Sequence, residues 1–276
     1  MLIKPKTIVI TGGSRGIGEA IALRYLYTKA KVVILDSKLP ADQSIATHKN
    51  FLAIHVDIKD ATAVEREINQ VADRLGSIDI LINNVSAFSF TDICHTTMEA
   101  FDLLFATNVR ATFLMSKLCY PFLKDSANPH IINISPPLDI DKKWFKNHLA
   151  FTLSKYAMSM CTLAMAEEFK KDGIGVNSLW PMTTIATTTI RDHFSDEVYK
   201  KSRWPTIMAD AVYKLAKRPA KTCTGQFFID ELLLREEGVT DFEQYAVDPT
   251  VALMQDLFVP EENIISGTAL TLKYFI

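Results

Sequence analysis

Short apolar runs alternate with longer amphipathic stretches along most of the chain. Seven of the runs, rich in valine and isoleucine, predict strands at 7–11, 31–36, 51–57, 79–84, 130–135, 175–180 and 226–229. Helical spacing follows the first run, at Ile17, Ile21 and Tyr25, and recurs over 61–75, 97–123, 150–171 and 207–218. Nearly continuous apolar strands between helices are typical of a parallel sheet that helices cover on both faces. The pattern predicts a doubly wound α/β sheet of the Rossmann type.

The pattern weakens in two places. The connection over 37–50 contains Pro40 and is too short for a full crossover helix, which predicts a truncated helix or a loop. After Glu237 the periodicity fades. We therefore predict one domain over 1–237 and a C-terminal extension over 238–276, packed on the domain or on a partner subunit.

Composition and charge narrow the class of ligand. The chain has 276 residues, 48% of them apolar, which is enough for one large core. It carries 30 Lys and Arg against 32 Asp and Glu, with no run of five basic residues. This balance argues against a nucleic-acid or membrane-surface partner and favours a small-molecule ligand.

Cysteine spacing and the N-terminus predict the compartment. The four cysteines lie far apart without a C-x-x-C pair, which is typical of reduced thiols and predicts neither a disulfide framework nor a metal cluster. Residues 1–6 are too few and too quickly charged for a signal peptide, and no apolar run of 18 residues follows. We expect a cytoplasmic protein.

A glycine-rich turn lies between the first strand and the first helix. Residues 11–18 read T-G-G-S-R-G-I-G, and such a turn lets backbone N–H groups and a helix N-terminus receive a pyrophosphate. Gly12 would make the turn, Gly16 would permit close approach and Gly18 would pack helix on strand. Ser14, Arg15 and Ile17 complete the predicted cofactor loop, and the alternative is a glycine-rich loop without a ligand.

The end of the second strand bears on the choice of dinucleotide. Asp36 stands 18 residues after Gly18, where a carboxylate can accept hydrogen bonds from ribose hydroxyls and repel a 2′-phosphate. This favours NAD. Arg15 and Lys38 could instead pair with a 2′-phosphate, so NADP stays open.

The order of these motifs carries a family resemblance. The T-G-x-x-x-G-x-G turn is followed by Asp57, Asn83-Asn84, Asn108 and Lys155. Over about residues 4–235 the chain resembles the short-chain dehydrogenase/reductase family, and the segments N-I-S-P-P, W-F-K and S-K-Y-A-M-S resemble its hydroxysteroid-dehydrogenase-like branch and bacterial relatives.

The resemblance implies further contacts and an assembly. Asp57 and Ile58 would contact the adenine, and Asn83 and Val85 would line the ribose through their backbone. The segment from Pro181 to Thr187 would hold the nicotinamide amide. The long helices that carry Asn108 and Lys155 would form a homo-oligomer interface. The apolar loops 86–97 and 183–204 suit a hydrophobic substrate.

One catalytic position departs from the family. In the family a tyrosine hydroxyl exchanges a proton while hydride passes between nicotinamide and carbon, and a lysine four residues later lies on the same helix face. Here Lys155 is present, but the tyrosine position is Phe151, which cannot give a proton. The resemblance implies that Ser135 polarises the substrate, although it stands 16 residues before Phe151 rather than the usual 13, and that Asn108 holds a water of the proton relay.

Other readings of these residues remain open. Ser135 could cap a backbone group, and Asn108 could be a surface helical residue. Tyr156 is not the missing acid, because it lies about 140° around the helix from Phe151 and Met160, not lysine, follows it by four. His148, one turn before Phe151, could protonate a substrate, but a histidine at a helix start is more often solvated.

Two classes of function follow. The chain is an NAD(P)-dependent alcohol or carbonyl oxidoreductase impaired at proton transfer, or a catalytically silent nucleotide-binding sensor, subunit or scaffold. A third reading is that Phe151 was introduced into an active enzyme to trap a ligand.

Overall fold

A seven-stranded parallel sheet forms the centre of the molecule. The computed structural model describes residues 5–264. Its strands are β1 Thr7–Thr11, β2 Lys31–Asp36, β3 Phe51–His55, β4 Ile80–Asn83, β5 His130–Asn133, β6 Gly175–Trp180 and β7 Phe227–Ile229. They lie in the order β3-β2-β1-β4-β5-β6-β7, and all neighbours are parallel. The predicted doubly wound sheet is confirmed.

Helices connect the strands and cover both faces of the sheet. They are α1 Gly16–Leu26, α2 Gln43–Ala46, α3 Ala61–Leu75, α4 Met98–Leu104, α5 Ala111–Leu123, α6 Leu149–Glu168, α7 Thr188–His193, α8 Asp196–Lys200, α9 Thr206–Leu215 and α10 Asp230–Glu236. A π-helical turn, Phe105–Arg110, joins α4 to α5. Short 3-10 turns occur at Lys142–Trp144, Lys170–Asp172, Glu243–Tyr245 and Glu261–Asn263.

Alternating side chains of the strands divide the core between the two faces. Ile8 and Ile10 of β1 belong to one buried cluster, which includes residues of α1, α9 and α10. Val9 belongs to the other, with residues of α3 and α5. Because successive side chains of a strand point to opposite faces, a strand buried on both sides is apolar at every position.

Four predicted strands are shorter in the structure, β7 by one residue, since it begins at Phe227 rather than at 226. The strand predicted over 51–57 ends at His55, because Asp57 begins a turn in which its carboxylate accepts the backbone N–H of Lys59 and its carbonyl that of Asp60. The runs over 79–84 and 130–135 also lose residues at their ends. The connection over 37–50 holds the one-turn helix α2, as the truncated-helix prediction expected.

The helix predicted over 97–123 is not uniform. Its middle is the π-helical turn, and Pro121 lies inside α5. A π-helical turn inserts an extra residue into the helical ladder and frequently marks a functional site. The turn contains Asn108.

The start of α1 differs from that of α3. The side chain of Asp60 accepts the backbone N–H of Ala63 and caps α3. The corresponding residue of α1, Arg15, is extended and makes no side-chain cap. The first N–H groups of α1 therefore stay available to an anion.

Residues after β7 return to the same face of the sheet as α1 and α9. The side chains of Phe242, Tyr245, Leu257, Phe258 and Val259 belong to the buried cluster on that face. Residues 1–4 of the N-terminal segment and residues 265–276 of the predicted extension lie outside the described residues. Over 5–264, no helix has both the length and the apolar character needed to cross a membrane.

Candidate cofactor and active site

A cavity of about 610 Å³ opens at the carboxyl ends of the strands. It lies where β1 separates β2 from β4, the position at which the strand order reverses and at which open α/β sheets bind their ligands. The wall runs from Asp36 at the end of β2, past the glycine turn, to Phe151 and Lys155 on α6. We call the part near Asp36 the loop end and the part near Phe151 the α6 end.

Glycine is required in the turn at the loop end. Gly12 and Gly16 adopt φ angles of 70° and 60°, in the left-handed region. A Cβ atom on Gly18 would lie 2.1 Å from the carbonyl oxygen of Gly12, so the helix can approach the strand only without a side chain there. The role predicted for Gly18, packing helix on strand, agrees with this geometry.

Ser14 ties the turn to the end of β2. Its backbone N–H donates to Asp36 Oδ2 at 3.0 Å, and its hydroxyl donates to the carbonyl oxygen of Lys38. The N–H of Lys38 donates to Asp36 Oδ1 at 3.1 Å. The carboxylate of Asp36 is therefore held in the cavity wall, whereas Ser14 does not line the cavity. Arg15 lines the cavity and is exposed.

The end of β4 contributes a neighbour of the predicted asparagine. Asn83 does not line the cavity, because its side chain points into the core and donates to Ser116 and Asn133. Asn84 lines the cavity and donates to the carbonyl oxygens of Thr11 and Gly12, at 3.0 and 2.8 Å. That Asn83 and Val85 line the ribose through their backbone stays a prediction; Val85 and Asn84 lie in the cavity wall.

The remaining predicted cofactor residues lie in one continuous wall. Those that line the cavity are Gly12, Arg15, Gly16, Ile17, Asp36, Asp57, Ile58, Val85, Lys155, Pro181 and Thr187. They come from six separate segments of the chain. Their convergence at the switch point is what a dinucleotide site needs.

Asn108 is buried and fully engaged. Its amide nitrogen donates to the carbonyl of Ala87 at 3.0 Å and to the hydroxyl of Ser154 at 2.9 Å. Its amide oxygen accepts the N–H of Ala87 at 2.8 Å, and its own carbonyl accepts the hydroxyl of Thr112. Asn108 therefore ties the π-helical turn to α6 and to the loop after β4. It is not a surface residue, and it does not line the cavity; that it holds a water of the proton relay stays a prediction.

Ser135 points away from the cavity. Its side chain is fully buried, and its hydroxyl lies 2.8 Å from that of Ser178 on β6. The preceding residue, Ile134, lines the cavity. Because side chains alternate in an extended chain, Ser135 faces the opposite side. The expectation that it polarises the substrate is not met.

Phe151 and Lys155 share one face of α6 at the α6 end. The ring of Phe151 lines the cavity and lies edge-on to Phe90, with the ring centroids 5.3 Å apart. The ammonium group of Lys155 donates to the carbonyl of Ile134 at 3.0 Å and lies 5.2 Å from the ring centroid of Trp180. Burial lowers the pKa of Lys155 to about 7 against the opposing effect of a nearby carboxylate, Asp256.

His148 and Tyr156 do not reach the cavity. The expected solvated position of His148 is wrong: the ring is 2% exposed, and its Nδ1 lies 2.9 Å from the hydroxyl of Thr152. Burial lowers the pKa of His148. The hydroxyl of Tyr156 donates to the carbonyl of Asp139. Neither residue lines the cavity.

Sequence reasoning missed the contribution of the C-terminal segment. Asp256 and Leu257 line the α6 end. The indole N–H of Trp180 donates to the carbonyl of Leu257 at 2.7 Å, which holds the segment against β6. Residues 250–260 show neither helical nor strand periodicity, so no local pattern could have placed them here.

Relatives agree with this geometry. The family model described as short chain dehydrogenase matches residues 6–197. The chain belongs to the short-chain dehydrogenase family. Nucleotide-dependent hydride transfer is the general function of this family. Within the described residues, no group of three or more His, Cys, Asp or Glu side chains could hold a metal ion.

Individual members of the short-chain dehydrogenase family match nearly the whole chain. Hydroxysteroid dehydrogenase-like protein 2 of Danio rerio is 46% identical over 273 residues, which cover 94% of this chain and 65% of the relative. The chain thus spans slightly less than two thirds of that protein. A solved structure from Xanthomonas campestris is 38% identical, with a TM-score of 0.87, covering 94% of this chain and all of that one. A short chain dehydrogenase of Mycobacterium thermoresistibile is 35% identical, with a TM-score of 0.86, covering 96% and 99%.

Proposed function

We propose that the chain is an NAD(P)-dependent oxidoreductase that transfers hydride between a nicotinamide cofactor and an alcohol or carbonyl carbon. The observation that carries this proposal is the continuity of the cavity. One wall joins the glycine turn and Asp36 to Lys155 and Phe151, so a dinucleotide bound at the loop end would bring its nicotinamide to the α6 end.

The loop end fits a pyrophosphate. The first turn of α1 has no side-chain cap, and its N–H groups and helix dipole favour an anion there. A Cβ on Gly16 would lie 3.1 Å from Cγ2 of Thr187, across the cavity wall, so a side chain would narrow the space that the phosphates need.

The fixed carboxylate of Asp36 favours NAD. Two backbone N–H groups, from Ser14 and Lys38, orient it at the end of β2. A carboxylate so held accepts ribose hydroxyls and repels a 2′-phosphate. NADP stays the second choice because Arg15 lines the same part of the cavity.

The bound cofactor would supply or accept the hydride, and the chain would position it. Lys155 would hold the nicotinamide ribose from the floor of the α6 end. Apolar side chains of Trp180, Ile185 and Leu257 limit the access of water to this end. Phe151 supplies no proton, so loss of the usual general acid is expected to slow turnover by about 10²–10⁴-fold.

A hydrophobic substrate suits the remaining wall. Phe88, Leu103 and Ile190 line the cavity, and Phe88 lies 5.7 Å from Phe90 between ring centroids. These residues belong to the loops and helices around 86–104 and 183–204, in or beside the loops that the sequence predicted to cover a substrate.

Cofactor binding and turnover test the proposal separately. NADH and NADPH are titrated while tryptophan quenching and cofactor fluorescence are followed, because Trp180 lines the cavity. We expect saturable binding that favours NADH. Carbonyl reduction is then measured with the unaltered chain and with Phe151→Tyr, which we expect to be faster. No fluorescence response to either cofactor would contradict the proposal.

The second candidate is a silent nucleotide-binding protein, and Phe151 is the observation that favours it. Both candidates predict cofactor binding. They differ in the Phe151→Tyr variant. If that variant binds NADH but reduces no member of a broad carbonyl panel, the silent protein is the better account.

Exposed apolar side chains support a proposed homo-oligomer. They are Phe113 on α5 and Leu153, Met160 and Leu163 on α6. Large apolar side chains exposed on two neighbouring helices are a common feature of interfaces. Light scattering coupled to size-exclusion chromatography would show more than one chain per particle.

The four unpaired cysteines fit the proposed cytoplasmic location.

A further inference from the structure

The segment around Asp256 is fixed across the α6 end by backbone hydrogen bonds. The N–H of Thr184 donates to the carbonyl of Met254 at 3.0 Å, and the N–H of Asp256 donates to the carbonyl of Met182 at 3.0 Å. The next residue along the chain, Leu257, accepts the indole N–H of Trp180 through its carbonyl oxygen. These contacts place the segment along the loop that follows β6.

Phe258 anchors the segment in the core. Its side chain is fully buried, and its ring centroid lies 5.4 Å from that of Tyr156, 6.0 Å from Trp180 and 6.1 Å from Phe151. The backbone of Phe258 has a φ of 65°, which an L-residue adopts at a cost of about 1–3 kcal/mol. The aromatic packing holds this conformation and thereby the position of Asp256.

One oxygen of Asp256 is available to the cavity. Its Oδ1 accepts the N–H of Leu257 at 2.7 Å, which orients the carboxyl group. Its Oδ2 accepts no hydrogen bond from residues 5–264, and the side chain is partly exposed in the cavity wall. The hydrogen bond from Leu257 therefore fixes the orientation of the Asp256 carboxyl group, while Oδ2 can exchange a proton.

Among the described residues, Asp256 is the carboxylic side chain that lines the α6 end. The titratable residues that line the cavity within 5–264 are Arg15, Asp36, Asp57, Lys59, Lys155 and Asp256. The first four belong to the loop end, on the turn and after β2 and β3. At the α6 end the wall offers Lys155 and Asp256, and His148 lies outside it.

We propose that Asp256 exchanges the proton that Phe151 cannot supply. This inference rests on the proposed oxidoreductase function. In the reducing direction, hydride adds to the carbonyl carbon, and the electron pair of the C=O π bond moves to oxygen. That oxygen takes the proton of the Asp256 carboxyl group, which leaves an alcohol, an oxidised nicotinamide and a carboxylate that solvent reprotonates. The oxidation runs through the same steps in reverse.

The electrostatic surroundings suit this role near neutral pH. Burial raises the pKa of Asp256 to about 7. The carboxylate of Asp230 adds to this rise, whereas the N–H of Leu257 and the ammonium group of Lys155 oppose it. Proton donors work best when their pKa lies near the working pH. The rate of carbonyl reduction should therefore fall as the pH rises through about 7.

Four forms of the chain test the proposal: unaltered, Asp256→Asn, Phe151→Tyr and the double variant. Single-turnover oxidation of NADH is followed from pH 5.5 to 9 with decanal, benzaldehyde and cyclohexanone. We expect Asp256→Asn to lose about 10²-fold or more in rate, with the NADH dissociation constant unchanged; a pH step near 7 that remains in this variant is that of Lys155. The double variant should recover most of the rate of Phe151→Tyr, because the restored hydroxyl makes Asp256 dispensable.

Asp241→Asn serves as the matched control. Asp241 is an exposed residue of the same C-terminal region, and its replacement should change neither the rate nor its dependence on pH.

A second readout does not depend on turnover. Infrared difference spectra between the unaltered chain and Asp256→Asn should show the carbonyl band of a protonated carboxylic acid at pH 6 that disappears by pH 8. Absence of that band at pH 6, or an unchanged rate in Asp256→Asn, would overturn the role of Asp256 alone. Turnover by Phe151→Tyr without turnover by the unaltered chain would also overturn the role of Asp256. If neither form reduces any of the three carbonyl compounds, the proposed function itself fails.

Discussion

The two ends of the cavity are built in different ways. The loop end is made by one strand–turn–helix unit, by Asp36 at the end of β2 and by the turn after β3, each of which follows from a local sequence pattern. The α6 end brings together α6, the end of β6 and the C-terminal segment, which are more than 70 residues apart in the chain at Trp180 and Leu257. The loop end has the glycine turn and Asp36 of the predicted pattern, while the α6 end has Phe151 at the position predicted for a tyrosine and has Asp256 in its wall. Binding and chemistry can therefore change separately in this fold.

The largest expected effect comes from breaking the α6 end at Phe258. Replacing Phe258 by alanine removes a fully buried ring and should lower the free energy of unfolding by about 3–5 kcal/mol, measured by urea denaturation. The exposed aromatic residue Tyr27 offers a control, since Tyr27→Ala should cost less than about 0.5 kcal/mol. A Phe258→Ala loss no larger than that of the control would show that the segment does not depend on this anchor.

The next largest effect is expected from a substitution that disrupts the glycine turn of the loop end. Gly18→Ala places a Cβ against the carbonyl of Gly12 and should weaken NADH binding by about 100-fold, or about 2.7 kcal/mol, as measured by calorimetric titration. Gly238→Ala provides the comparison: Gly238, unlike Gly18, has a positive φ, but no atom lies within 4 Å of the added Cβ. It should lower stability slightly and leave the NADH affinity unchanged. Equal affinities in the two variants would contradict the role of the turn.

The sequence predicts some of the residues at the two ends of the cavity and not others. The glycine turn, Asp36, Asp57 and Lys155 were predictable because each depends on a local pattern or on a fixed spacing within one element. The sequence could not predict that the side chain of Ser135 points away from the cavity, since the direction of a side chain at a strand end depends on one residue of register. Asp256 had no local signal. Its position depends on aromatic packing, on the hydrogen bond from the indole of Trp180 and on backbone hydrogen bonds to the loop after β6, which are contacts between distant parts of the chain.

A smaller expected effect is the dependence of stability on pH that Asp256 causes at the α6 end. Folding raises the pKa of Asp256 from 3.8 to about 7, so the folded chain binds this proton more tightly than the unfolded chain. The stability that the group contributes is present at acidic pH and is lost as the pH rises through this window. Asp256→Asn should therefore gain about 1–3 kcal/mol in unfolding free energy relative to the unaltered chain between pH 5 and pH 8.5. Asp36→Asn, at the loop end, serves as the comparison. A difference between Asp256→Asn and the unaltered chain that does not vary with pH would show that the carboxyl group is not perturbed by burial.

The central claim is that loss of the tyrosine hydroxyl at Phe151 leaves the dinucleotide site intact. Calorimetric titration of NADH into the unaltered chain and into Phe151→Tyr tests it most directly. The account predicts saturable binding to both, with one NADH per chain and dissociation constants within about threefold of each other, or about 0.7 kcal/mol. Failure of the unaltered chain to bind NADH, or binding that appears only in Phe151→Tyr, would contradict it.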